Sequence, residues 1–191
     1  MAQSRKHPEL ECARTVTLIG MMGAGKTTVG RRLAARLELP FFDADQEIEK
    51  AAGMSVADLF ATHGEESFRD GEAKVIRRLL EGPVHVLATG GGAITNPETR
   101  ALIRERSVSV WIKVDVETVL ARAGRRSTRP LLQTDDPRET VKKLIEDRKA
   151  YYEAADIHVE SQSGPHGQTA ELIIQALKAR PDLLTPVKDH V

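Results

Sequence analysis

The sequence predicts an α/β fold of three layers, a parallel sheet covered by helices on both faces. Three observations predict it. Gly20, Gly25, Lys26 and Thr27 spell the phosphate-binding pattern G-x-x-x-x-G-K-T. That pattern lies between an apolar run at residues 16–19 and a helical pattern with Val29, Leu33 and Leu37 at fourfold spacing, which is the strand–loop–helix context a P-loop requires. Further short apolar runs then alternate with helical stretches to the end of the chain, as repeated β-α units do.

Composition agrees. The 191 residues suit one domain with its own core. Hydrophobic residues at 40% and charged residues at 29% fit a soluble α/β domain. Basic and acidic side chains number 28 each, so the formal net charge is zero. That balance argues against a nucleic-acid binder that is basic throughout. Cys12 is the only cysteine, which rules out an internal disulfide. The six histidines show no metal-ligand spacing, and no apolar stretch approaches membrane-spanning length. Residues 1–13 are polar without an apolar signal core and read as a disordered tail. Residues 181–191, with two prolines, read as a second tail, leaving 14–180 as a single domain.

The P-loop dictates its own chemistry. Gly20, Gly23 and Gly25 let successive N–H groups turn inward around Ala24. The helix opening at Lys26 adds unpaired N–H groups and a positive dipole end. Lys26 reaches the β- and γ-phosphates, and the Thr27 hydroxyl is a Mg²⁺ ligand in this motif. The first helix is expected over 26–37, ended by Leu39-Pro40.

Phe41-Phe42 starts a short strand into Asp43-Ala44-Asp45. Ligands of parallel sheets bind outside the carboxyl ends of strands, so two carboxylates fall near the P-loop. One suits Mg²⁺ through water and the other a proton from a hydroxyl. Equally, Asp45 suits a cap of the helix expected over 46–52. Gly53-Met54-Ser55 is a turn and cap before residues 56–60, and His63-Gly64-Glu65 ends that piece. A longer helix is expected over 65–80. On it Arg69 and Glu72 are i,i+3 neighbours, locally read as a surface ion pair. Phe60 and Phe68 read locally as core.

A strand is expected over 84–88, leading into Thr89-Gly90-Gly91-Gly92-Ala93. Three glycines there permit close approach of backbone to a ligand. Asn96-Pro97 opens a helix to about 106. Residues 108–114 form a strand carrying Trp111, taken as core, and Asp115 caps a helix over 117–123. Arg122, Arg125, Arg126 and Arg129 then crowd one Gly- and Pro-containing segment, which suits a mobile lid over nucleotide phosphates. Pro137 starts a helix over 138–154, where Arg148 reads locally as solvated. Residues 157–159 are the fifth strand, and a last helix is expected over 168–179.

Taken together, the motifs resemble the shikimate kinases, within the nucleoside-monophosphate-kinase-like P-loop group. They are Gly20-Met-Met-Gly-Ala-Gly-Lys-Thr-Thr-Val-Gly-Arg31, Phe42-Asp-Ala-Asp45, Gly64-Glu-Glu-Ser-Phe-Arg69 with Glu72, Thr89-Gly-Gly-Gly-Ala93, Arg129-Pro-Leu-Leu132, and Arg148 before Tyr151-Tyr152. The resemblance spans about residues 15–179. It implies five parallel strands in order 2-3-1-4-5, a substrate-binding segment at about 44–72 and a lid at about 123–136. It implies transfer of the γ-phosphoryl of ATP to the 3-hydroxyl of shikimate, with Mg²⁺. Gly23, Ala24, Gly25, Lys26, Thr27 and Thr28 would bind ATP, together with Arg122 near adenine and Arg129 from the lid. Thr27 and Asp43 would serve the metal. Asp45 would contact the acceptor hydroxyls and act on the nucleophile, with Lys26 and Arg129 as its catalytic partners. Arg69 and Arg148 would grip the acceptor carboxylate beside Gly90, Gly91 and Gly92. Glu72, Phe60 and Phe68 would complete that pocket.

One feature departs from the family pattern. The loop 161–167 lacks the basic residue often found near the adenine. The nearest rival is a gluconate kinase, against which Arg69, Arg148 and the glycine run argue. A non-catalytic nucleotide-binding regulator would have no need of Lys26, Asp45 and Arg129 together. A cytoplasmic monomer, binding neither nucleic acid nor membrane, is the expectation.

Overall fold

The structure, a computed structural model, describes residues 10–123, 135–161 and 166–184. Among these, five strands and seven helices alternate. They are β1 (Thr15–Ile19), α1 (Lys26–Leu37), β2 (Phe41–Asp43), α2 (Ala44–Ala52), α3 (Val56–Leu80), β3 (Val86–Ala88), α4 (Pro97–Arg106), β4 (Ser107–Lys113), α5 (Val116–Ala123), α6 (Pro137–Glu153), β5 (Ile157–Glu160) and α7 (His166–Ala179).

All neighbouring strands are parallel, in the order β2-β3-β1-β4-β5. Every residue of β1 is buried, as a central strand covered on both faces must be. One face packs Val16, Leu18, Val110 and Val159 against Leu33 and Leu37 of α1 and Ile173, Ile174 and Leu177 of α7. The other packs Ile19 and Leu87 against Ile76 of α3, Ile103 of α4, Val119 of α5 and Val141 of α6. Each such fully buried aliphatic side chain contributes about 1.5–3 kcal/mol of transfer free energy. The expected three-layer α/β sheet and its strand order are both present.

Register sets the site. Leu18 pairs with Ala88, which also pairs with Asp43. The P-loop, the 43–45 turn and the glycine run therefore leave the sheet at one level, at its carboxyl edge.

Three local expectations differ. Asp43, not Asp45, is the N-cap of α2, its side chain accepting from the Asp45 N–H, so Asp45 is spared that task. The break expected at Gly64 is present: Gly64 takes φ 76 and ψ 173, so α3 is two helical pieces meeting at a kink. Trp111 is only half-buried, because its ring lies over Tyr152 and His158 beside the second core rather than within it. Residues Pro181–Leu184 form a 3-10 turn that buries Leu183 and Leu184 against the α7 side of the core. Ala13 N–H donates to Leu184 O at 3.1 Å, tying the two ends of the domain together. Of the lid expected at about 123–136, residues 124–134, Arg129 among them, lie outside the described residues.

Candidate active site

The P-loop is built on backbone that only glycine adopts readily. Gly20, Gly23 and Gly25 have φ of 140, 78 and 86. A Cβ at Gly20 would stand 2.6 Å from Ile112 O, so the turn also needs its missing side chain. Gly25 is the N-cap of α1 and makes no side-chain cap, which leaves the helix N-terminus facing the loop. Lys26 is buried, its ammonium donating to Gly20 O at 2.7 Å and Met21 O at 2.9 Å. The charge is thus held within the loop, among its own carbonyls.

Thr27 Oγ1 donates to Asp43 Oδ2 at 2.6 Å, while Asp43 Oδ1 accepts from Asp45 N–H at 3.1 Å. This hydroxyl–carboxylate pair bridges β2 to the P-loop and offers hard oxygen ligands. Among the described residues no cluster of three or more His, Cys, Asp or Glu could cage a metal. The Thr27 hydroxyl and Asp43 carboxylate are the hard oxygen donors that Mg²⁺ takes beside waters and substrate phosphates.

The glycine run meets Glu72, Asp45, the P-loop and Arg69 in turn. A Cβ at Gly90 would lie 2.7 Å from Glu72 Oε1 and 3.0 Å from Asp45 Oδ1. A Cβ at Gly91 would lie 3.1 Å from Met22 N of the P-loop. A Cβ at Gly92 would collide with the Arg69 guanidinium. Arg148 Nη1 donates to Gly91 O at 3.0 Å. Asp45, Arg69, Arg148 and the P-loop thus all border one strand end.

Arg69 is fixed from several sides. It donates to Glu72 Oε2 at 2.6 Å and Glu65 Oε1 at 3.2 Å. Its guanidinium lies 5.8 Å from the Phe60 ring centre and 5.3 Å from that of Phe68, a cation–π arrangement. Phe68 is buried, and the two rings pack 4.3 Å apart. The expected Arg69–Glu72 pair is present, but it is not a surface pair: the Glu72 side chain is 2% exposed. Glu72 Oε1 is buried without a hydrogen bond among the described residues. Desolvation pushes the Glu72 carboxyl above its usual range against the pull of Arg69, and the Asp45 charge adds to the rise. Arg148, read locally as solvated, is 6% exposed.

On the nucleotide side, Arg122 of α5 donates to Gly23 O and to Ser161 Oγ, each at 3.2 Å. It pins the P-loop to the loop after β5. Two site residues escaped the sequence reading. Tyr152, which by its spacing with Val141, Leu144 and Ile145 reads as an apolar position of that helix, donates through its hydroxyl to Gly91 O at 2.7 Å. Ser161 reads in the sequence only as part of a loop. The phenol beside Arg148 at i,i+4 was the available signal for Tyr152.

A P-loop on β1 of a parallel 2-3-1-4-5 sheet, faced by an acidic strand end and converging arginines, defines a P-loop kinase. Comparison with known proteins narrows the class. The shikimate kinase family model matches residues 22–178. A shikimate kinase of Nitrobacter winogradskyi is 56% identical over 167 residues, covering 87% of this chain and 78% of that protein. One of Bradyrhizobium diazoefficiens is 53% identical over 167 residues, covering 87% and 81%. The structure of a shikimate kinase from Acinetobacter baumannii in complex with shikimate superposes with a TM-score of 0.86 at 38% identity, covering 89% of this chain and 96% of that one. The chain belongs to the shikimate kinase family, and so to the ATP-dependent kinases.

Proposed function

We propose that the chain transfers the γ-phosphoryl of ATP to the 3-hydroxyl of shikimate, giving shikimate 3-phosphate and ADP on the route to chorismate. The observation that carries this reading is the glycine run 90–92, bordered at once by Asp45, Arg69, Arg148 and the P-loop. Shikimate has one carboxylate and three hydroxyls. Two arginines suit the carboxylate, and an aspartate suits the hydroxyls.

The P-loop N–H groups from Gly23 to Thr28 hold the ATP phosphates. Lys26 gives up its two loop carbonyls for phosphate oxygens. Thr27, with Asp43 behind it, would hold Mg²⁺. Held there, such an ion would supply charge neutralisation at the ATP phosphates. Arg69 and Arg148 grip the acceptor carboxylate, with the Gly90–Gly92 backbone beside it. Glu72 locks Arg69 in place, and Phe60 and Phe68 wall the pocket. Asp45 orients the 3-hydroxyl and takes its proton on a carboxylate oxygen as the O–P bond forms. Arg122 flanks the adenine. Arg129, outside the described residues, adds positive charge at the transferring phosphoryl.

Among the described residues no helix is long and apolar enough to cross a membrane. A cytoplasmic monomer that binds neither nucleic acid nor membrane completes the proposal. Incubation with Mg-ATP and either shikimate or gluconate tests the reaction through ADP release. Release that depends on shikimate is expected. Release with gluconate alone overturns the acceptor, and tight ATP binding without turnover overturns the enzyme.

A further inference from the structure

The Gly91 carbonyl is the pivot of the glycine run, and two donors from α6 converge on it. Tyr152 Oη lies at 2.7 Å and Arg148 Nη1 at 3.0 Å. The two residues are one turn apart, so a single face of α6 presents both. Tyr152 is 1% exposed. Its ring stacks on Trp111, centres 5.7 Å apart and planes at 19°. Its hydroxyl also lies 3.7 Å from Met21 Sδ on the P-loop. Burial pushes the phenol further above its usual range, so it remains a protonated donor at neutral pH.

A trans peptide is planar, and its C=O and following N–H point opposite ways. Holding Gly91 O toward α6 therefore turns the Gly92 N–H away from α6. That N–H donates to nothing among the described residues, although Gly92 is buried. A buried backbone donor left open in this way calls for an acceptor. Gly92 is also the residue whose vacant side abuts the Arg69 guanidinium. An anion gripped by Arg69 would lie beside it.

We propose that Tyr152 is a positioning residue for the acceptor carboxylate: its hydroxyl fixes the Gly91–Gly92 peptide and so aims the Gly92 N–H at the bound anion. When Arg148 turns to the carboxylate, Tyr152 is the donor that stays on Gly91 O. The inference rests on the carboxylate site proposed above.

Tyr152→Phe in the full chain keeps the ring and its stack on Trp111 and removes only the hydroxyl. Loss of one neutral hydrogen bond predicts a rise of about three- to tenfold in the shikimate Kd. The ATP Kd and kcat should stay within about twofold. The methyl ester of shikimate, which lacks the charge, should bind both forms alike. An unchanged shikimate Kd, or equal weakening of shikimate, its ester and ATP, overturns the role and leaves Tyr152 a core residue. Arg69→Ala run in parallel separates the two readings. If it weakens shikimate while Tyr152→Phe does not, the positioning role alone fails. If neither does, the carboxylate site itself is wrong and the positioning role falls with it.

Discussion

Asp45 and Asp43 stand two residues apart, yet their surroundings give them different work. Asp43 accepts from Thr27 and from the α2 backbone, so both its oxygens are engaged. Asp45 is exposed, at the strand end near Gly90, with the buried Glu72 carboxylate on the other side. Asp45→Asn keeps the shape and removes the proton acceptor. It should lower kcat by about 10² to 10⁴, the usual range for acid–base assistance; turnover near that of the wild type would show that Asp45 is not the base. Arg69 is held by Glu72, Glu65 and two phenylalanines with its fork beside Gly92. A hydrogen bond to a charged group is worth about 1.5–3 kcal/mol. Arg69→Ala should therefore weaken shikimate binding about ten- to hundredfold by calorimetry and leave ATP binding nearly unchanged. Equal loss for both ligands would refute its assignment to the acceptor.

The P-loop owes its shape to β4 as much as to its own sequence. Gly20 combines φ 140 with a vacant side 2.6 Å from Ile112 O. Gly20→Ala has two faults at once, a strained backbone and a collision with main chain that cannot swing aside. The variant should lose ATP affinity and melt at lower temperature, both readable by thermal shift with and without nucleotide. A wild-type melting temperature with intact ATP stabilisation would contradict this account. The kink in α3 is a second case of function at the level of an element. Gly64 redirects the chain so that Phe60, before the kink, and Phe68, after it, both flank Arg69. An uninterrupted helix would place residues eight apart two turns along one straight face.

At the scale of the whole molecule, the candidate site lies at the carboxyl edge of the sheet, and a buried histidine lies at the opposite edge. His85 just precedes β3 and is buried, with Nδ1 2.8 Å from Pro83 O, and Nε2 has no partner among the described residues. Burial lowers its proton affinity below the ordinary 6.5, outweighing the Pro83 bond. The unfolded chain thus binds a proton near pH 6.5 that the folded one resists. Stability from this group is present above that value and lost as pH falls toward the depressed folded value. Glu72 acts oppositely, because its raised folded value favours the folded state as pH falls toward 4.5. Comparison with His85→Asn, which keeps a donor for Pro83 O, isolates the histidine. Between pH 7.5 and 5.5 the melting temperature of the variant should fall less than that of the wild type. An equal fall would remove His85 as a source of acid sensitivity.

Much of this site is local in origin. The P-loop needs only glycines that reach positive φ, a lysine and a threonine at fixed offsets before a helix, so nine residues define it. The acidic strand end and the glycine run follow from the same rule that ligands meet the carboxyl ends of parallel strands. Strand order has no such local signal: 2-3-1-4-5 came from family resemblance, because which strands become neighbours depends on pairing between distant segments. The same holds for Glu72, whose burial turns an ordinary i,i+3 pair into an anchor for Arg69. It holds for Arg148 and Tyr152, which reach Gly91 from about sixty residues further along the chain. It holds for Leu183 and Leu184, tail residues by composition and core residues by packing. Chain-local geometry determined how phosphate is held and which acidic and glycine segments stand near it. Only the tertiary structure decided which arginines are buried, what fixes them, and where the glycine backbone points, because burial and orientation belong to the surfaces that meet rather than to any one stretch of chain.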